Sequence, residues 1–210
     1  MAGPTKTPEP PLDPLKWWDT KLLDKPTLDA FLNHLGEANA PSRVAAHQTA
    51  QALNIRTMLD VGCGPALDHW FETGIAWRGV DGSDVLVNYC REKGVEIDHA
   101  QADALPYGDR SFDLVYSRHL WEHLLHYAGA LKEACRIADR AVMIVFFRPP
   151  GLEEKVQVLW GAHYNDYSIA KIRAAFEVEW PGCKISSAVV TSPKYTKVGG
   201  ELILLVERAP

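Results

Sequence analysis

The sequence has few cysteines, no long apolar run and no basic run, and each absence removes a class of function. Four cysteines, at 63, 90, 135 and 183, stand far apart in 210 residues with no CxxC pair. Thiols so scattered build neither a disulfide framework nor a zinc ribbon, and they predict a reduced, cytoplasmic setting. The longest apolar stretch, 141–147, falls far short of the ~20 residues of a membrane span, so no membrane partner is expected. Prolines at 4, 8, 10, 11 and 14, with no apolar segment between them, are unlike a secretory signal and predict a disordered tail over 1–14. No run of lysine and arginine is present to follow a phosphate backbone, and the net charge is −5, so nucleic acid is not expected as a partner.

What is present suits one globular domain, 15–210. The composition is 47% hydrophobic and 23% charged, enough to build a core without metals or disulfides. After a segment 15–42 that begins with Trp17 and Trp18, Ser42 reads as the N-cap of a helix over 43–53. Short apolar strands then alternate with helices. Strands are expected at 57–61, 76–80, 95–100, 112–117 and 141–147, and helices at 66–73, 84–93 and, longest, 119–138. This alternation predicts a parallel sheet covered on both faces. The end differs: a helix over 168–176 precedes strands 184–191 and 201–206 with no helix between them, which predicts an antiparallel hairpin.

Three acidic residues fall at or just beyond three successive strand ends. Asp60 opens Asp60-Val61-Gly62-Cys63-Gly64, where a strand hands over to a helix and glycines let the backbone turn close to a ligand. Taken alone this is equally a tight turn that binds nothing. Asp81, before Gly82, closes the next strand 21 residues later, where a carboxylate suits the hydroxyls of a ribose or caps a helix. Asp103 follows the third. Together they outline a nucleoside site along the carboxyl edge of the sheet.

The wording of these segments carries a resemblance. Met58–Gly64 as MLDVGCG, Gly79–Ser83 as GVDGS, Asp103–Tyr107 as DALPY and Ser111–Ser117 as SFDLVYS are similar, in order, to the motifs of class I S-adenosylmethionine-dependent methyltransferases of the small-molecule group called type 11. The resemblance implies a Rossmann-like α/β fold with seven strands, the last antiparallel. It also implies S-adenosylmethionine as cofactor, with Asp60, Gly62 and Gly64 around its methionine part. Asp81 would hold the ribose hydroxyls, with Gly82 also at the cofactor, Asp103 and the Ala104 backbone would contact the adenine, and residues around Ser117 would close over the methionine. Pro65-Ala66 stands where a third glycine is common, and alanine is small enough to keep the turn. A dinucleotide oxidoreductase would want a glycine at 67, which is leucine.

The acceptor is read from what remains. Ser117-Arg118-His119-Leu120 is not the Asn/Asp-Pro-Pro-aromatic motif of adenine or glutamine N-methylation, and no Pro-Cys pair suits cytosine chemistry. A small molecule is therefore the expected acceptor. On a continuous helix His119, Glu122, His123 and His126 would share one face, so His119 and His123 are candidates for a base or a substrate contact. A packed, structural histidine explains His123 equally well. The string His119-Leu120-Trp121-Glu122-His123 also spells the H-x-x-E-H of inverted zincins, but it is embedded in motifs that already account for the chain, and no metal is expected. His163 and Tyr164, in a loop over 161–168, are further candidates. Trp17 and Trp18 are a lid or a plug on the sheet edge. The reading from another class is a catalytically silent module that binds S-adenosylmethionine as a partner within an assembly.

Overall fold

The computed structural model describes residues 14–35, 40–149, 154–159, 162–191 and 199–209. The proline-rich stretch 1–13 and Gly161 lie outside them. Two short helices not anticipated from the sequence, α1 (Pro14–Leu22) and α2 (Lys25–Leu35), precede α3 (Pro41–Ala52). Then follow β1 (Thr57–Val61), β2 (Ala76–Asp81), α4 (Asp84–Glu92), β3 (Ile97–His99), β4 (Phe112–Arg118), α5 (Ala128–Ile137) and β5 (Ala138–Phe146). A two-stranded ribbon of β6 (Val158–Leu159) and β7 (Ala162–His163) separates these from α6 (Ile169–Glu179), β8 (Lys184–Val190) and β9 (Glu201–Glu207).

Seven strands make one sheet in the order β3-β2-β1-β4-β5-β9-β8. The first five pair in parallel, and β9 runs antiparallel to both β5 and β8, which is the expected mostly parallel sheet with its closing hairpin. The strands are apolar on both faces because both are covered. Met58, Leu114, Tyr116, Met143 and Val145 pack with Ala46 and Ala50 of α3. The alternate residues Leu59, Val61, Val115, Val142 and Ile144 pack with Leu131 of α5 and with Ile172 and Phe176 of α6. Val87 and Cys90 of α4 cover the β2–β3 end.

Several expected elements are changed by tertiary hydrogen bonds. Helix α3 begins at Pro41 with Ala40 as its N-cap, so Ser42 does not cap it. The Ser42 side chain is instead buried and accepts from Arg118 Nη2 at 3.5 Å. The helix expected over 66–73 is a single 3₁₀ turn, Leu67–Trp70, and the strand expected over 95–100 shrinks to β3. The long helix expected over 119–138 is the largest correction. His119 has φ of +55°, Trp121–His123 form one 3₁₀ turn, and regular helix starts only at Ala128. The carbonyl of Leu124 accepts from Asn165 Nδ2 at 2.7 Å and from the Tyr167 hydroxyl, so side chains of the later chain hold it.

Candidate active site

The carboxyl ends of β1, β2 and β4 and the loop after β3 open onto a cavity of about 770 Å³, within the size range of small-molecule sites. One half is built by strand-end loops. After β1 the backbone N–H groups of Gly62 and Cys63 both donate to the carbonyl of Val80, which folds the loop back over β2. Gly62 has φ of +70°, and a Cβ there would lie 2.9 Å from a Leu120 methyl, so the position requires glycine for conformation and for space. Gly64, at φ of +56°, has nothing within 4 Å of where a Cβ would stand. Ala66, fully buried, takes a left-handed φ of +56° itself, so the turn is kept without the third glycine.

The acids of this half are held by backbone donors. Asp81 accepts from the N–H of Gly64 at Oδ2 and from the N–H of Ser83 at Oδ1, each at 2.9 Å. Burial pushes its carboxyl above the usual range. Asp60, 1% exposed, accepts from Trp77 Nε1 at 3.3 Å, and burial raises it to about 7. Asp103 is exposed at the cavity rim beside α5, where a Cβ on Gly129 would come within 2.7 Å of the Asp103 Cβ. Arg136 ties the loop after β3 to α5 through the carbonyls of Leu105 and Tyr107. Gly82 lines the cavity. Ala104 and Ser117 do not: the N–H of Ala104 donates to the carbonyl of Gln101, and buried Ser117 accepts from Trp121 Nε1 at 2.9 Å.

Beneath the glycine loop, Arg43 of α3 forms a buried ion pair with Asp68, both lining the cavity. Burial, with the Arg43 charge adding to it, lowers His47 to about 4, so the imidazole is neutral and donates Nε2–H to Asp68 Oδ1 at 2.8 Å. Neither Arg43 nor Asp68 was singled out in the sequence. They are 25 residues apart on unrelated elements, and no local pattern links them.

The other half of the cavity is aromatic. Trp17, Trp18 and Phe31 come from α1 and α2, and Phe147 and Tyr164 follow β5 and β7. Helix α1 is fixed through Asp19, whose Oδ1 accepts from the Ser83 hydroxyl at 2.6 Å and the Val85 N–H at 3.3 Å. Trp18 is therefore a wall of the site. Its ring lies 5.1 Å from that of His123, nearly perpendicular to it, and the Tyr164 ring lies 4.9 Å from His123 in the same manner.

The four histidine and tyrosine candidates separate here. His123 Nδ1 lies 2.7 Å from the carbonyl of His163. A carbonyl only accepts, so the proton sits on Nδ1 and the lone pair on Nε2. Burial pushes the His123 pKa down, which keeps the ring neutral. His119 is engaged otherwise: its Nε2 lies 2.6 Å from Glu201 Oε1, which also accepts from Arg118 Nη2 at 2.7 Å. Burial lowers His119 to about 4. His163 contributes its backbone and does not line the cavity, whereas Tyr164 does. Since His119 lies outside any helix, the shared helical face and the zincin geometry are both lost. Among the described residues no group of three histidine, cysteine or acidic side chains could hold a metal. Glu122, a cavity residue only 6% exposed, accepts the Phe147 N–H, and burial raises it to about 7. Asn165 was missed in the sequence. Its side-chain Oδ1 accepts the Gln157 N–H and its backbone N–H donates to the Glu122 carbonyl at 2.8 Å, which pins the ribbon to the 121–124 turn.

Comparison with known proteins bears on this geometry. Residues 59–146 match the family described as a methyltransferase domain. No curated protein matches the sequence. The chain is similar in structure to magnesium protoporphyrin IX methyltransferase from Synechocystis with bound S-adenosylhomocysteine, at 16% identity, TM-score 0.71, covering 94% of this chain and 100% of that one. It is also similar to a Haloferax volcanii complex of the Trm112 methyltransferase activator with a methyltransferase, at 16% identity and TM-score 0.65, covering 91% and 97%. A possible histamine N-methyltransferase from Thermotoga maritima matches at 16% identity and TM-score 0.57, covering 80% and 89%.

Proposed function

We propose, for a chain whose residues 59–146 are an S-adenosylmethionine-dependent methyltransferase domain on the class I fold, that the enzyme methylates a small-molecule acceptor within this cavity. The domain spans 15–210, and its helices α1 and α2 close the acceptor side. The observation that carries the reading is one cavity with two unlike halves, strand-end acids and glycines on one side and an aromatic wall on the other. The space beside Gly64 and the carboxylate of Asp81 fit the cofactor, which supplies an electrophilic methyl group on a sulfonium. Asp60, Gly62, Gly64, Asp81 and Gly82 would hold it, with Asp103 at the rim. Methyl transfer asks the protein chiefly to align the nucleophile and exclude water. Trp17, Trp18 and Phe31 serve the second need. His123 Nε2 takes the acceptor's proton, with Nδ1 fixed by His163 so that the ring presents the correct tautomer.

Calorimetric titration of S-adenosylhomocysteine into the wild type and Asp81→Ala, with NAD as control, tests the cofactor half. Binding to the wild type, weakened by roughly tenfold or more in the variant, is the expected result. Incubation with S-adenosylmethionine and a metabolite extract tests the reaction through release of S-adenosylhomocysteine. Binding without turnover would favour a silent module, and binding of NAD instead would sink the reading.

A further inference from the structure

The acceptor half of the cavity combines many rings with few available charges. Trp17, Trp18, Phe31, Phe147 and Tyr164 line it together with His123. Trp18 also touches Phe31, their centroids 5.4 Å apart, so the α1–α2 rings form one continuous apolar surface that ends at the imidazole. Arg118, His119 and Glu201 on this side are committed to one another. Glu201 accepts from both Arg118 and His119 and is itself fully buried. The Arg118 side chain is 7% exposed within that pair. Glu122 Oε1 accepts the Phe147 N–H, and its Oε2 is buried with no hydrogen-bond partner. A phosphate entering here would meet no open guanidinium and would be desolvated without a counterion, and an ammonium ion would find one carboxylate, Glu122, whose Oε2 is withdrawn from the cavity surface.

Resting on the methyl-transfer reading above, we propose that the acceptor is a neutral, planar aromatic molecule bearing a ring O–H or N–H, seated against Trp18 and Tyr164 with that group on His123 Nε2. Flat rings gain edge and face contacts with such walls beyond the area they bury. The one hydrogen-bond acceptor that the tautomer leaves on His123 matches one donor on the ligand. In the reaction the acceptor's X–H proton passes to Nε2 and the new X–CH3 bond forms. The methyl carbon's old bond to sulfur breaks with its electron pair remaining on sulfur, so the proton on His123 is the one left for solvent to collect.

The test is calorimetric titration of the full chain with naphthol, its saturated analogue decalinol, naphthyl phosphate and naphthylmethylamine, each with and without S-adenosylhomocysteine. Naphthol is expected to bind at least about tenfold more tightly than the other three, and Trp18→Ala to remove at least about tenfold of that affinity while Trp18→Phe keeps most of it. No binding of naphthol, equal binding of the amine, phosphate or decalinol, or an unchanged affinity in folded Trp18→Ala would each overturn the proposal. Absence of S-adenosylhomocysteine binding in the wild type would instead count against the cofactor reading, and the naphthol series read without it still decides the acceptor class. Circular dichroism of both Trp18 variants confirms that they are folded.

Discussion

The two halves of the cavity are built by opposite strategies. On the cofactor side the ends of two neighbouring strands hold each other: Gly62 and Cys63 donate to Val80, and Asp81 holds Gly64 and Ser83. On the acceptor side nearly every position depends on a partner far along the chain. Trp18 meets His123, His119 meets Glu201, and Leu124 meets Asn165. Both halves hold one deeply buried acid raised to about 7, Asp60 on one side and Glu122 on the other. The difference teaches that a binding loop can be held by backbone hydrogen bonds between adjacent strand ends, whereas a substrate wall is assembled from side chains of distant segments.

The comparison can be broken most severely at the ion pair under the glycine loop. Arg43→Ala would leave Asp68 charged and buried beside a neutral His47, at a cost of about 3–5 kcal/mol in urea unfolding. A loss below about 1 kcal/mol would mean that the cofactor half does not depend on that long-range pair. Next in size is Gly62→Ala at the seam between the halves. The left-handed backbone costs roughly 1–2 kcal/mol and the displaced Leu120 about as much again, so the unfolding midpoint should fall accordingly. Gly64→Ala, which meets no neighbour, should lose the first contribution only.

Glu122→Gln sharpens the acceptor side through pH. Folded Glu122 keeps its proton to about 7, well above a solvated glutamate, so between about pH 4.5 and 7 the folded state binds more protons than the unfolded one. Its contribution to stability therefore falls as pH rises through that window. His47 and His119, lowered to about 4, act in the opposite direction, since they gain stability as pH rises towards 6.5. The wild-type profile is a sum of these, but the stability of Glu122→Gln relative to wild type should climb steadily from about pH 5 to 7. A flat difference would show that Glu122 ionises normally. The smallest effect is expected at Ala66→Gly, where relief of a left-handed alanine, about 1–2 kcal/mol, is offset by a lost buried methyl, about 0.8 kcal/mol. Its unfolding midpoint should move little, and a large loss would show that the Ala66 methyl packs more than the loop strains.

The helix expected over 119–138 shows where sequence reasoning stops. Its spacing of Leu120, Leu124, Tyr127 and Leu131 satisfies helical periodicity, and nothing local interrupts it. The break is made by Asn165 and Tyr167, which take the Leu124 carbonyl, and by Ser117, which takes the Trp121 indole N–H. Likewise the i, i+4 relation that suggested a shared face for His119 and His123 dissolves once His119 adopts a left-handed φ and turns to Glu201. The alternation of strands and helices, the closing hairpin and the acids at the ends of β1 and β2 were legible because apolar periodicity and glycine chemistry act over a few residues.

By itself the sequence determined the alternating α/β plan, the glycine turn after β1 and the acids at the strand ends, since apolar periodicity and glycine turns are written in runs of a few residues. Tertiary structure alone decided that α1 and α2 form a wall, that His163 offers a carbonyl in place of its ring, and that Arg43 meets Asp68 under the loop. Those contacts join residues 25 to more than 100 positions apart, as Trp18 to His123 illustrates. Their geometry exists only once the sheet has brought its carboxyl edge and the N-terminal helices together, because buried polar groups settle on whatever partner the packed chain places within hydrogen-bond reach.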